Sequence, residues 1–119
     1  MNKATIQFLQ GIDERVIPEI RLLKSKDARI GEAVFTFHKP YILLEKNCKE
    51  IKGMSLIDEE GQITITEINI AVSKKDGTYT ALQAIYSWTS DQEFNRFMRF
   101  ANRYAENNGL VYEEQDNLN

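Results

Sequence analysis

Hydrophobic and polar residues alternate with a period of two along most of the chain, a pattern typical of half-buried β-strands. The early strand-like runs lie at 5–9, 19–23 and 33–38. Gly11 and Pro18 separate the first two runs, and Pro40 ends the third because proline has no N–H to donate to a sheet ladder. The pattern predicts three strands before residue 40, while residues 41–50 fit either a short strand or one or two helical turns.

The clearest β pattern spans residues 54–89, where runs at 54–57, 62–73 and 78–89 are separated by two turns that end in glycine. Such runs predict an antiparallel meander. In the middle run the apolar positions are odd-numbered at Ile63 and Ile65 and even-numbered at Ile68 and Ile70. Because side chains alternate along a strand, this change of phase predicts a β-bulge or a sharp coil near 66–67. Partial cover on both faces, as in a sandwich, is an equal alternative.

The last part of the chain changes to a helical period. Ser90 and Glu93 have the S-x-x-E spacing of a capping box, and Gly109 fits the left-handed position after a helix, which predicts a helix from Asp91 to about Asn107. Its apolar residues fall within an arc of about 160°. They are Phe94, Phe97, Met98, Phe100, Ala101, Tyr104 and Ala105. We interpret the aromatic stripe of Phe94, Phe97 and Phe100 as core, and Phe100, at the edge of this arc, is the member for which partial exposure stays open.

These elements predict an α+β fold, with a twisted antiparallel meander of about five to six strands, partly sandwich-like, and an amphipathic C-terminal helix packed on it. The length of 119 residues fits one domain. We predict a single domain at 1–112 and an acidic, flexible tail at 113–119. The longest apolar run, 41–44, is far shorter than the ~20 residues of a membrane span. The N-terminus enters a strand-like pattern directly, so we expect neither a targeting peptide nor a membrane span.

The composition excludes several classes of site. One cysteine, Cys48, and one histidine, His38, allow neither a disulfide nor a thiolate or imidazole zinc site within the chain. A single reduced cysteine points to a cytosolic compartment. The formal net charge of −3 argues against a dedicated nucleic-acid binder, which needs a basic surface.

No set of residues predicts catalysis. His38 is the one imidazole that could activate Cys48, but no nucleophile elbow adjoins the cysteine, and we interpret both as structural residues. Asp58, Glu59 and Glu60 form the densest acidic cluster, in a hairpin turn where we expect water to hold each pKa near its ordinary value. The chain contains no P-loop, G-x-G-x-x-G, H-E-x-x-H or calcium-loop motif. We therefore predict no catalytic, metal-binding or cofactor-binding residue and no enzymatic activity.

Two features are suited to binding proteins. Arg96, Arg99 and Arg103 are spaced i, i+3 and i+7, so they project from one side of the predicted helix. This arginine stripe either docks a partner or is simply solvated, and the sequence leaves both open. A sheet that does not close into a barrel also has edges that accept an extended peptide as an added strand.

Three segments resemble one known family. They are Pro18-Glu19-Ile20-Arg21-Leu22 with Lys24-Ser25-Lys26, the segment at 53–61, and the arginine–phenylalanine helix motif at 96–110. In order and spacing they are similar to the photosystem II reaction-centre accessory and assembly protein family of the psb twenty-eight type. Ser55, Ala101-Asn102 and the hairpin at 71–76 depart from its usual pattern, which indicates a divergent, second-type paralogue.

The resemblance implies a non-catalytic, cyanobacterial factor in photosystem II biogenesis or repair. Such a factor binds the cytosolic (stromal) face of assembly intermediates that contain the inner core-antenna subunit, in part by sheet extension with a partner tail. Its partners are core-antenna and reaction-centre subunits, and it is peripheral to the thylakoid membrane through them. We expect no nucleic-acid partner and a monomer or weak homodimer.

The candidate partner-binding residues are Arg96, Arg99, Arg103, Phe100, Arg21 and Lys24. The alternative function is a small cytosolic enzyme or ligand-binding domain with a site between sheet and helix. Such a site would use Cys48, His38 or Tyr86.

Overall fold

A computed structural model of the chain describes residues 3–26, 29–44 and 51–110. It consists of two antiparallel four-stranded sheets and one C-terminal helix. In chain order the strands are β1 (Thr5–Leu9), β2 (Ile12–Asp13), β3 (Glu19–Lys24), β4 (Gly31–His38), β5 (Met54–Asp58), β6 (Gly61–Ile65), β7 (Glu67–Val72) and β8 (Tyr79–Trp88). A short 3-10 helix, Tyr41–Leu44, follows β4, and the helix α1 spans Asp91–Asn107. The predicted α+β fold is confirmed.

The chain passes from one sheet to the other at Thr66. The first sheet has the strand order β2-β1-β5-β6 and the second has the order β3-β4-β8-β7. Ile65 pairs with Met54 in the first sheet, and Glu67 pairs with Ile85 in the second. The change of phase of the apolar positions near 66–67 is therefore caused by this crossing between sheets. The one long strand that we expected is two strands, and together with the short β2 this gives eight strands within the described residues.

The core lies between the sheets and α1. The first sheet contributes Ile6, Phe8, Met54, Leu56 and Ile65, and the second contributes Leu22, Ala33, Phe35, Phe37, Leu82, Ala84 and Trp88. From α1, the Phe97 ring is fully buried and lies 6.0 Å from Phe35, 5.2 Å from Tyr86 and 6.1 Å from Trp88, between ring centroids. Each such large apolar side chain contributes roughly 1.5–3 kcal/mol on burial. Phe97 therefore anchors α1 to the second sheet.

Phe100 is also buried, with no exposed area, so its interpretation as core is confirmed and it is not partly exposed. The reason is that α1 contacts both sheets, through β5 and through β8. Two contact surfaces cover a wider arc of the helix than one sheet does. The ring of Phe100 stacks on Tyr104, with centroids 5.7 Å apart. As the helix is packed here, Phe100 is part of the core and is not available to a partner.

Both predicted helix ends are confirmed. The Glu93 N–H donates to the Ser90 hydroxyl oxygen over 3.1 Å, and the Glu93 carboxylate accepts from the Thr89 N–H over 3.0 Å. The reciprocal bond of the capping box thus goes to the residue before the cap. At the other end Gly109 has φ +65°, and the Leu110 N–H donates to the Ala105 carbonyl over 2.8 Å. This glycine takes the left-handed conformation that ends the helix.

Residues 41–50 fitted either a short strand or one or two helical turns. In their first part, Tyr41–Leu44 is a single helical turn. Residues 45–50, which include Cys48, and the predicted tail at 113–119 lie outside the described residues. In the described part of the chain, no helix is both long enough and apolar enough to span a membrane.

Candidate functional site

The arginine stripe of α1 contacts the acidic turn between β5 and β6. Arg96 donates two hydrogen bonds to Asp58, of 2.9 Å to Oδ2 and 2.7 Å to Oδ1. Arg99 donates two to Glu60, of 2.8 Å to Oε2 and 2.9 Å to Oε1. Arg103 Nη1 bridges both acids, at 2.9 Å from Asp58 Oδ2 and 2.6 Å from Glu60 Oε2. We call these five residues the arginine–carboxylate network.

Local structure brings the two charges together. Asp58 is the last residue of β5, and its pairing with Gly61 closes the hairpin. The three arginines lie on one side of α1 because residues three and four apart are neighbours on a helix. Since α1 packs against β5, the stripe runs over the turn.

Burial within the network is uneven. The Asp58 side chain has no exposed area, while Arg96 and Arg103 are 20% and 25% exposed. Asp58 is the buried charged residue of the described core. Arg99, in contrast, is 49% exposed. The arginine stripe is thus neither simply solvated nor a free docking face: two of its three members bind a buried acid, and only Arg99 faces solvent to a large extent.

The network lowers the pKa of its carboxyls, so the expectation that water holds them at ordinary values is wrong for two of them. Burial on its own raises the pKa of Asp58, but hydrogen bonds from Arg96 and Arg103 outweigh burial and keep the pKa below its usual value. Hydrogen bonds from Arg99 and Arg103 lower the pKa of Glu60 to about 2. Both acids stay ionised near neutral pH and are occupied by donors, which suits a clamp between helix and hairpin better than proton transfer.

Arg21 and Lys24 lie on β3, an outer strand of the second sheet. They are three residues apart, so their side chains point to opposite faces. Arg21 is exposed. Lys24 Nζ lies 4.6 Å from the centroid of the Phe94 ring, in the first turn of α1. The sequence candidates therefore belong to separate surfaces and do not form one site.

A surface that the sequence analysis did not identify lies along β7, the other outer strand of the second sheet. No described strand pairs with its outer edge. Ile70 and Val72 are 37% and 48% exposed there, and residues 68–72 carry no charge. Outer strands are usually protected by charges, as β3 is by Glu19 and Arg21. The sequence does show the uncharged run at 68–72. It indicates an unprotected sheet edge only once the strand order places β7 on the outside.

The two described residues of the alternative enzyme site, His38 and Tyr86, lie apart, and Cys48 is outside the described residues. His38 pairs with Ala81 and Tyr86 pairs with Ala33, which separates the two by five residues, or roughly 17 Å of strand. His38 Nε2 lies 3.2 Å from Glu19 Oε2, with both side chains exposed. Tyr86 borders an open depression of about 560 Å³. Within the described residues, no three His, Cys, Asp or Glu side chains are grouped for a metal ion.

Comparison with known proteins shows similarity over nearly the whole chain. The family model described as "Psb28 protein" matches residues 6–112. A "Photosystem II reaction center Psb28 protein" of Parasynechococcus marenigrum (strain WH8102) is 49% identical over 117 residues, covering 98% of this chain and 91% of the relative. The protein of the same name from Synechococcus sp. (strain CC9605) is 47% identical, covering 96% and 88%. That of Prochlorococcus marinus (strain MIT 9312) is 49% identical, covering 94% of each.

Proposed function

The chain belongs to the Psb28 protein family, and from this premise we propose that it is a non-catalytic accessory protein of photosystem II. The observation that carries the proposal is the family match over residues 6–112, together with relatives named as photosystem II reaction center proteins. We propose further that it acts in biogenesis or repair at the cytosolic (stromal) face of the thylakoid membrane. There it binds intermediates that contain the inner core-antenna subunit, and it is held at the membrane by its protein partners.

The packing supports a role without catalysis. A small enzyme with a site between sheet and helix needs a cavity there. Phe97, Phe100 and Trp88 fill the interior between the second sheet and α1, and none of the three has exposed area. The depression between Tyr86 and α1 is a surface feature that is open to solvent. The acids of the arginine–carboxylate network are occupied by arginines, and His38 is far from Tyr86 along the strands. The function is therefore expected to lie on the surface.

Strand addition at β7 is the binding mode that we propose for a partner tail. An added strand gains main-chain hydrogen bonds along an unpaired edge and side-chain contacts on the faces. The edge of β7 offers both, because no described strand covers it and Ile70 and Val72 are exposed beside it. The charges of Glu19 and Arg21 make β3 a poorer acceptor.

Affinity purification tests the function. A tagged copy of the chain, expressed in the cells that encode it, is expected to recover core-antenna and reaction-centre subunits of photosystem II from solubilised membranes. Mass spectrometry of the eluate checks this, with an unrelated acidic protein of similar size and the same tag as the control. If no photosystem II subunit is enriched over that control under several light regimes, the proposal is wrong.

A second test concerns the edge. Ile70→Lys with Val72→Lys places two cations beside β7 and is expected to lower the recovery of photosystem II subunits at least about tenfold. The fold should be unchanged because both side chains are already exposed. Ile30→Lys is the matched control, since Ile30 is 56% exposed but lies in the turn before β4. Equal recovery by the double variant and the control would remove β7 from the interface and leave the family-based function standing.

A further inference from the structure

A groove of about 680 Å³ lies where β1, β2, the 3-10 helix and the C-terminal end of α1 meet. Ile12, Ile17, Arg15, Tyr41 and Tyr104 are among its lining residues, and we call it the amino-terminal groove. Its volume falls within the range of ligand pockets. It is separate from the arginine–carboxylate network and from the edge of β7, and none of the roles proposed above uses it.

Three large apolar side chains are exposed on the rim of the groove, although the lining as a whole is mostly polar. Ile12 is 45% exposed, Ile17 is 40% exposed and Tyr41 is 38% exposed. Exposed large apolar side chains occur singly on most proteins, but these three surround one concavity. The rim is therefore suited to receive a large apolar side chain.

The groove contains two cations as well as two carboxylates. Lys3 and Arg15 both line it, and neither forms an ion pair with another described residue. The Arg15 guanidinium carbon lies 5.4 Å from the centroid of the Tyr41 ring, which holds the charge at the apolar rim. These cations are placed to meet an anionic group.

The carboxylates of the groove are already occupied by internal donors. Glu14 accepts from the backbone N–H groups of Val16, Tyr41 and Ile42, at 3.0, 2.8 and 2.9 Å. Asp13 accepts from the Gln7 side-chain amide at 2.8 Å. Glu14 thus fixes the start of the 3-10 helix, and both acids are committed to the fold. A ligand that needs a free carboxylate is disfavoured.

The Tyr104 hydroxyl is a donor that no described residue uses. Tyr104 is 3% exposed, and its buried hydroxyl has no hydrogen-bond partner in the described part of the chain. Burial raises the pKa of Tyr104 to about 12, and the charge of Glu14 acts in the same direction, so the proton stays on the oxygen. A buried hydroxyl without a partner is costly, and a ligand acceptor at this point would remove the cost.

We propose that the amino-terminal groove binds an acidic peptide segment of a partner protein. One large apolar side chain of the segment packs among Ile12, Ile17 and Tyr41, and a neighbouring carboxylate binds Lys3 and Arg15. The Tyr104 hydroxyl donates to a main-chain carbonyl of the segment. An extended peptide presents these three groups within a few residues, and the groove is open to solvent.

The test uses the full chain and a defined probe. The ¹⁵N-labelled protein is titrated with the capped hexapeptide Gly-Ser-Phe-Glu-Glu-Gly and followed by NMR. We expect saturable binding below roughly 1 mM, with shifted amides confined to residues 11–17 and 104–108 and to the 3-10 helix. The same peptide with lysines in place of the glutamates should bind at least about tenfold more weakly, because Lys3 and Arg15 would repel it.

Two variants separate the contacts. Arg15→Glu should weaken binding of the acidic peptide at least about tenfold, whereas Lys52→Glu, at an exposed cation before β5 that does not line the groove, should leave it unchanged. Tyr104→Phe should weaken binding about fivefold without lowering the thermal midpoint, since it removes a hydroxyl that has no internal partner. Equal binding of the lysine peptide, shifts that map elsewhere, or no saturation at 10 mM would overturn the proposal. Each of these results would leave the family-based function untouched.

Discussion

Replacing Asp58 with asparagine is expected to lower the free energy of unfolding by about 3 kcal/mol, because it leaves Arg96 and Arg103 without their buried counter-charge. The Asp58 side chain has no exposed area, and both arginines are three-quarters buried or more. Breaking such a pair costs far more than losing a surface ion pair, since water cannot replace the missing partner. Urea unfolding followed by circular dichroism measures the change.

Glu59→Gln is the matched control for Asp58→Asn. Glu59 belongs to the same turn and lies 3.5 Å from Arg103 Nε, but its side chain is 42% exposed. We expect this control to change stability by less than about 1 kcal/mol. If the two variants are equally stable, the network does not clamp α1 to the hairpin.

The pH dependence follows from the same network. The folded-state pKa values of Asp58 and Glu60 are both lowered, to about 2 for Glu60, so their contribution to stability is complete above the unfolded values near about 4. It is lost as the pH falls from there towards about 2. Asp58→Asn should therefore flatten the fall in stability over this window. An acid limb as steep as that of the original chain would contradict the assignment.

Replacing Phe97 with alanine is expected to lower the free energy of unfolding by about 4 kcal/mol, more than Asp58→Asn does. Its ring has no exposed area and contacts aromatic rings of β4 and β8, including Phe35 and Trp88. The loss combines the transfer energy of the ring with the cavity that remains, and it loosens α1 from the second sheet. Thermal and urea unfolding measure it.

Phe97→Leu is the control for the cavity, because leucine keeps most of the apolar volume and should cost less than about 2 kcal/mol. A difference between the two variants of less than about 1 kcal/mol would show that the site collapses around the missing ring. In that case α1 would be held mainly by the arginine–carboxylate network. Asp58→Asn should then lower the free energy of unfolding more than Phe97→Ala does.

The contacts of Asp58 and Glu60 also decide which arginine of the stripe can test docking to a partner. A charge reversal of Arg96 sets a second carboxylate against the buried Asp58, so it disturbs folding as well as any docking. Arg99 is the better probe of docking, since it is half exposed and Glu60 keeps a bond from Arg103 when Arg99 is changed. We therefore propose Arg99, and not Arg96 or Arg103, as the residue of the stripe that contacts a partner.

Local sequence signals predicted most of the elements. The strand β1 at Thr5–Leu9 and the helix at Asp91–Asn107 have the predicted limits, because alternation, capping and a terminal glycine act within a few residues. The change of phase at Ile65 and Ile68 was visible too, but its meaning was not. A bulge and a crossing between sheets look alike in sequence, since only the identity of the paired strand tells them apart.

By itself the sequence determined the elements, the family resemblance and the lack of motifs for catalysis, because these depend on residue types and short spacings. Only the tertiary structure decided which charges meet. Asp58 and Arg96 are 38 positions apart, and nothing in their local sequence shows that one neutralises the other. Chain folding also buried Phe100, left β7 at a sheet edge and brought Arg15 and Tyr104 to one groove. Surfaces made by distant segments depend on packing, which local patterns do not specify.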